Sequence, residues 1–372
     1  MIYFDNAATG GRKPDCVLSA VESSLRVCAN PGRSGHKLSL TCANLVENAR
    51  KTLCNFFDGY AYDRVIFTKN CTEALNTAIL GVLKKGDHVI TTEFEHNSVL
   101  RPLEFLKKSG VITYDVCKSE SAEDLPKQIS ALMRKNTRLV AVTTASNVTG
   151  DIPPIDAIKR ALPPSVLLLC DGAQGAGHIP ISMKKTGIDF LALAGHKALF
   201  GIQGSGALLF SHRVNPQCLS FGGTGSMSIS LDMPDFYPDA LEAGTLSFPA
   251  IVSLSQGVSY LSLRQKEISE KMIILTNYLI SRLQKLPKIA VYSRKNPCGI
   301  VAFEHTGIPS DPLADILSEN YGIAVRGGLH CAPLMHRRLG TEKRGLIRVS
   351  FSYFNGMSEI DELISALIEI GG

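Results

Sequence analysis

Phe190-Leu191-Ala192-Leu193-Ala194-Gly195-His196-Lys197 runs from a string of apolar residues into Gly-His-Lys, and glycines at 201, 204 and 206 follow. The apolar part, 190–193, reads as a strand buried on both faces, and the remainder as a tight turn leaving its carboxyl end. Lysines are ordinarily solvated. One placed between a buried strand and a Gly-rich loop lies where backbone crowds a ligand, and desolvation there would make its amine nucleophilic.

Outward from this stretch, short aliphatic or β-branched runs alternate with helical patterns between about residues 64 and 210. Strands are predicted at 65–67, 88–90, 138–142, 166–170 and 206–210, with helices starting at Thr72 and near Asn97. Strands apolar on both faces and alternating with helices predict an α/β domain with a mainly parallel sheet covered on both sides. A Gly- and Ser-rich loop at 221–226 precedes one long helical stretch over 248–286. Beyond it, strands at 299–304 and 346–350 mix with helices at 311–319 and 358–370, the pattern of a smaller α+β domain. The expected division is 15–247 for the large domain, and 1–14 with 248–372, linking helix included, for the small one.

Composition narrows the function classes. With 372 residues, 45% hydrophobic and 20% charged, the chain is long enough for two domains and for a buried site. The net charge of +5 is spread along the chain and not gathered into basic runs, which favours small anions over nucleic acid as partners. Asp5 interrupts the N-terminus before a signal-peptide core develops, and the longest apolar runs, such as 166–170, are too short to span a bilayer. The ten cysteines, without C-x-x-C pairs, suit a reducing, cytoplasmic setting.

Reactive side chains fall just after the predicted strands, where ligands of open α/β sheets sit: His96, Asn147, Asp171 and Lys197 can face one crevice. Asn70-Cys71-Thr72-Glu73 joins a strand to a helix, which offers free amides and a hydroxyl to an anion or serves simply as a helix cap. Asp171, in Cys170-Asp171-Gly172-Ala173-Gln174, suits a protonated ring nitrogen of a cofactor; capping is the alternative. Gln174 can donate to a ring oxygen.

Asp171-x-x-Gln174 together with Gly195-His196-Lys197 resembles the signature of class V aminotransferases, which carry pyridoxal 5′-phosphate (PLP). Tyr3-Phe4-Asp5-Asn6-Ala7-Ala8, Glu95-His96-Asn97-Ser98, Ser146-Asn147-Val148-Thr149-Gly150, Glu242-Ala243-Gly244-Thr245 and Val325-Arg326-Gly327-Gly328-Leu329-His330-Cys331-Ala332-Pro333 resemble, more narrowly, group II (Suf-type) cysteine desulfurases and selenocysteine lyases. The resemblance covers nearly the whole chain. It implies the α/β fold of PLP-dependent transferases, fold type I, with a seven-stranded-type sheet. It also implies that Lys197 forms the Schiff base, His96 stacks on the ring, Asp171 pairs with its nitrogen, and Asn147 and Gln174 contact its substituents. Cys71, Thr72 and His196 would hold the phosphate, Thr245 would reach the phosphate of a neighbouring subunit in a homodimer, and Arg348, with Asn147 and Ala7 beside it, would take the substrate carboxylate.

Cys331 decides the reaction class. In a desulfurase of this kind its thiolate attacks the sulfur of L-cysteine, a persulfide remains on it, and L-alanine leaves while a sulfur-acceptor protein, as in iron-sulfur cluster assembly, takes the sulfur. His330, Arg326, His336, Arg337 and Arg338 are expected to make its surroundings electropositive and so favour the thiolate. A metal held by His330, Cys331 and His336 is the weaker reading, because no second thiol pair or H-E-x-x-H run accompanies them. The alternatives within enzymes are a lyase acting on L-selenocysteine and another PLP aminotransferase or lyase; outside them, a sulfur-carrier module without turnover. The sequence departs from the family pattern at Ala194, where many relatives carry a hydroxyl residue, and at Asn70-Cys71, where Suf-type enzymes usually have Gly-Thr.

Overall fold

The computed structural model describes residues 1–27 and 29–371; Cys28, counted above among the unpaired cysteines, and Gly372 lie outside the described residues. Strand β1 (Ile2–Tyr3) opens the chain, followed by helices α1 (Asp15–Arg26) and α2 (Lys37–Phe56). The alternating segment then runs β2 (Val65–Thr68), α3 (Cys71–Val82), β3 (Asp87–Thr92), α4 (Asn97–Lys108), β4 (Ile112–Cys117), α5 (Leu125–Ala131), β5 (Thr137–Thr143), α6 (Ile155–Ala161), β6 (Leu167–Asp171), α7 (Met183–Thr186), β7 (Phe190–Ala194) and β8 (Gly206–Phe210). Its strands form one seven-stranded sheet in the order β2-β8-β7-β6-β5-β3-β4. Only β8 runs against its neighbours, so the sheet is mainly parallel, as expected.

Period-2 alternation divides the strand side chains between two cores. Val140, Val142, Leu168, Cys170, Leu191 and Leu193 face one of them, while Leu139, Ala141, Leu167, Leu169, Phe190 and Ala192 face the other. This is why the strands read as continuous apolar runs rather than as alternating ones. The exception is β4 at the sheet edge, whose Thr113, Tyr114 and Asp115 are solvated to varying degrees; its mixed sequence gave no strand signal.

After β8 come α8 (Phe248–Ser262), α9 (Gln265–Leu283), β9 (Ile289–Val291), β10 (Ile300–His305), α10 (Ser310–Tyr321), β11 (Ile323–Ala324), α11 (Pro333–Leu339), β12 (Ile347–Ser350) and α12 (Met357–Glu369). The single helix expected over 248–286 is two helices, because the chain leaves helical geometry at Arg264 (φ −134°, ψ 0°). No Pro or Gly marks that break. It follows from packing: α8 lies on α1 and α2, whereas α9 lies on β9, β10 and α12. β9, β10 and β12 form an antiparallel sheet, and β1 pairs in parallel with β11, which carries the N-terminus to the C-terminal part of the chain.

Candidate active site

A cavity of about 220 Å³ opens at the carboxyl ends of the parallel strands, where ligands of open α/β sheets sit. His96, Asn147, Asp171 and Lys197 all line it, as do Ala7, Cys71, Thr72, Gln174, His196 and Arg348. Ten of the twelve site residues expected from the sequence therefore share one crevice. Cys331 and Thr245 do not line it.

The Lys197 turn is tightly held. The Gly195 amide donates to Ser205 O (3.0 Å) and the Gly201 amide to Gly195 O (2.8 Å). A Cβ on Gly195 would lie 2.3 Å from Ser205 Oγ, so only glycine fits. The carbonyl of His196 accepts from the Gly10 amide (2.8 Å) and from Lys13 Nζ (3.2 Å), which ties the N-terminal segment across the turn. Lys197 itself is half-buried, and among the described residues it has neither a hydrogen bond nor an ion pair through its amine. Burial lowers its pKa, outweighing the pull of the Asp171 carboxylate.

Asp171 ends β6 and is 3% exposed. Its Oδ1 accepts from the Ala173 amide (2.9 Å) and from the Cys71 thiol (3.4 Å), whereas no partner is found for Oδ2 among the described residues. Asn70 caps α3 by accepting from the Glu73 amide (2.9 Å), so both readings of this turn hold together: the cap engages Glu73 and leaves the amides of Cys71 and Thr72 at the cavity. Thr72 Oγ1 and His96 Nδ1 lie 2.8 Å and 2.9 Å from Ser98 Oγ. His96 Nδ1 also accepts from the Ser98 amide, and burial lowers the ring to about 4, which makes it a neutral, flat face. His196 is likewise lowered to about 4 by burial and by nearby Lys197 and Lys13; its Nδ1 meets Thr9 Oγ1 at 3.0 Å.

Gln174 Nε2 donates to Ala7 O (3.0 Å), so one of its two amide hydrogens is engaged by the N-terminal segment. Arg348, 1% exposed, donates through Nη1 to Asn147 O (2.9 Å) and through Nη2 to Asp5 Oδ1 (2.9 Å). Asn147 Nδ2 in turn donates to His330 O (2.7 Å). Among the described residues two buried atoms at this spot have no partner: Arg348 Nε, a donor, and Asn147 Oδ1, an acceptor. Buried polar groups are nearly always paired, so a polar ligand could complete both atoms. Asp5 and Ser98 were not singled out from sequence. They act through contacts with residues elsewhere in the fold, Asp5 with Arg348 and Ser98 with Thr72, for which no local pattern exists.

Cys331 is exposed and follows His330, which lines the cavity. The turn closed by the Ala332 amide on Leu329 O (2.9 Å) puts both central residues at positive φ, His330 at 51° and Cys331 at 55°. Side chains rarely adopt that region. The turn is pinned by Asn147 on His330 O and by the Asn97 amide on Cys331 O (2.8 Å). The electropositive surroundings expected for the thiol are largely committed elsewhere. His330 and His336 stack on each other, and burial lowers the pKa of both rings, which leaves them neutral. Arg337 pairs with Glu342, and Arg338 binds the carbonyls of Ser119 and Glu120. Thr245 is exposed and lines a different cavity, beside Lys69, Glu73 and Glu242.

Comparison with known proteins agrees with this geometry. The model of the class-V aminotransferase family matches residues 2–363. A probable cysteine desulfurase of Methanothermobacter thermautotrophicus is 32% identical, the alignment covering 100% of this chain and 95% of the relative. The apo structure of a cysteine desulfurase from Thermococcus onnurineus superposes with a TM-score of 0.90 at 29% identity, over 99% of this chain and 94% of that one. A cysteine desulfurase from Escherichia coli gives a TM-score of 0.87 at 25% identity, again over 99% and 94%.

Proposed function

The chain belongs to the class-V aminotransferase family, and on that premise we propose that it is a PLP-dependent cysteine desulfurase, which converts L-cysteine to L-alanine and leaves the sulfur as a persulfide on Cys331. One observation carries the reading: a lysine without a partner, a carboxylate with one oxygen free, and an unpaired buried donor and acceptor meet in one cavity. These residues fit PLP. Lys197 Nζ would bond the cofactor's aldehyde carbon, Asp171 Oδ2 would accept from its ring nitrogen, and the flat face of His96 would cover the ring. The amides of Cys71 and Thr72, with the Thr72 hydroxyl and neutral His196, would receive the phosphate at the start of α3. Ala194 brings no hydroxyl there, so that cradle rests on fewer side chains.

When bound, PLP supplies an electron sink for the charge released at the substrate Cα. The chain's own residues do the rest. Arg348 Nε, with Asn147 beside it, binds the carboxylate of L-cysteine and sets its orientation. Lys197, its pKa lowered by burial, takes the Cα proton at Nζ and returns it later in the cycle. Cys331 Sγ, as thiolate, bonds the substrate sulfur as the carbon–sulfur bond breaks, and the bonding pair stays with carbon. An acceptor protein then collects the persulfide from an exposed loop. With the division taken as 15–247 against 1–14 with 248–372, Ala7, Arg326, His330 and Arg348 of the second part would face the first across this cavity.

A homodimer accords with Thr245, which is exposed and does not line the Lys197 cavity of its own chain; a second copy would present that cavity to it. No helix among the described residues is long and apolar enough to cross a membrane, and the cytoplasm is the proposed location. The test is incubation of purified protein with PLP and L-cysteine. Equimolar alanine and sulfide should form under reductant, whereas no alanine, or full activity in Cys331→Ala, would overturn the reading.

A further inference from the structure

We propose that Cys71 is a positioning residue for Asp171: its thiol, with the Ala173 amide, holds Oδ1 so that Oδ2 alone is presented to the ring nitrogen of the cofactor. The inference rests on the PLP-binding reading above. Within it, Cys71 takes two separable tasks, its backbone amide facing the phosphate side of the cavity and its side chain turned to the carboxylate.

The geometry is specific. Cys71 begins α3, anchored by the Asn70 cap and by Glu73 Oε2, which accepts from the Lys69 amide at 2.6 Å. Asp171 ends β6, three places across the sheet from β2, the strand that leads into α3. The thiol is buried (8% exposed) and is the only side chain found to bond the Asp171 carboxylate among the described residues. A free carboxylate rotates about χ2, and either oxygen can serve as acceptor. One donor on Oδ1 from its own loop and one from a different element remove that freedom. Burial first, and the Asp171 charge second, raise the Cys71 pKa well above the usual thiol range, so sulfur stays protonated and donates. A protonated thiol is also a poor nucleophile, which spares the cofactor's aldehyde from attack by a second cysteine in its own cavity.

Donation to Oδ1 fixes which oxygen faces the ring. Without it Oδ2 is aimed less firmly at the ring nitrogen, the ring withdraws less charge, and the bond between Lys197 and PLP titrates at higher pH. Cys71→Ala keeps the amide and loses the donor, whereas Cys71→Ser restores a donor. The measurements are PLP dissociation and the pH midpoint of the visible band of lysine-bound PLP, with thermal unfolding of the PLP-free protein as a control. Cys71→Ala should weaken PLP binding about fivefold, in keeping with the loss of one weak donor to a charged acceptor. Its midpoint should rise by about 0.5 pH unit, and Cys71→Ser should return both values toward wild type. Unchanged affinity and midpoint in Cys71→Ala would overturn the inference, as would equal shifts in both variants. Should Cys71→Ala fail to fold, Cys71→Ser decides against Cys71→Val on the same readouts: the donor must matter, not the volume. Failure of wild type to develop the band at all would overturn the PLP reading, a separate outcome.

Discussion

The Lys197 turn and the Cys331 turn border the same site and are built in opposite ways. Around Lys197, Gly195 has room for no side chain, the His196 carbonyl takes donors from the N-terminal segment, and an apolar strand lies directly behind. Cys331 is exposed, sits at φ 55° beside His330 at 51°, and is tied down by one side-chain and one backbone bond to 97 and 147. In the proposed reaction Lys197 works dry, because desolvation lowers the pKa of its amine and its position fixes which proton it reaches. In the proposed reaction Cys331 would meet two partners in turn, a substrate inside and an acceptor outside, so access matters more than rigidity there. The contrast is a division of labour between proton and sulfur.

Exchanging the two roles shows the largest effect. Lys197→Ala should abolish the visible band of bound cofactor and lower turnover by about a thousandfold or more. Cys331→Ala should leave that band intact while alanine formation from L-cysteine falls by about a hundredfold. If both variants lose cofactor, the two turns are one unit and the comparison fails. Gly195→Ala attacks the rigid turn directly. Its Cβ would meet Ser205 Oγ at 2.3 Å, and overpacking there should cost about 2–3 kcal/mol in chemical denaturation, with cofactor binding weakened in parallel.

The dry side also carries a pH signature. Glu95, fully buried beneath the turn to His96, accepts from Thr92 Oγ1 and from the Thr143 amide, and burial raises it from 4.5 to about 8. Between those values the folded chain holds a proton that the unfolded chain releases, so stability falls as pH climbs through this window and levels off above about 8. Glu95→Gln should flatten the fall in urea titrations across a pH series; an unaltered slope would assign it to other groups. The smallest effect belongs to the sulfur turn. Cys331→Gly should be about 1 kcal/mol more stable than Cys331→Ala, because glycine accepts positive φ without penalty. Equal stability would mean that the turn relaxes once the thiol is gone.

Much of this architecture was legible before any coordinates. Six strands of the main sheet announced themselves as apolar runs, and His96, Asn147, Asp171 and Lys197 stood at strand ends that a parallel sheet necessarily brings to one edge. What escaped reading was set by neighbours distant in the chain. β4 is a solvated edge strand without an apolar face, and the break between α8 and α9 carries no Pro or Gly because two separate packing surfaces impose it. The charge expected around Cys331 from His330, Arg326, His336, Arg337 and Arg338 depends on the same remote contacts: burial lowers the pKa of both histidines, and Arg337 and Arg338 are held by Glu342 and by backbone carbonyls.

The sequence by itself determined which groups can do chemistry and at which ends of which strands they stand, because strand periodicity and turn composition are local properties. Only the tertiary structure decided how those groups are tuned. That Asp171 keeps one oxygen free, that Arg348 leaves Nε unpaired, and that Lys197 is locked while Cys331 is exposed all depend on atoms brought together from remote segments. Desolvation and hydrogen-bond saturation are properties of the packed neighbourhood, and no window of sequence contains that neighbourhood.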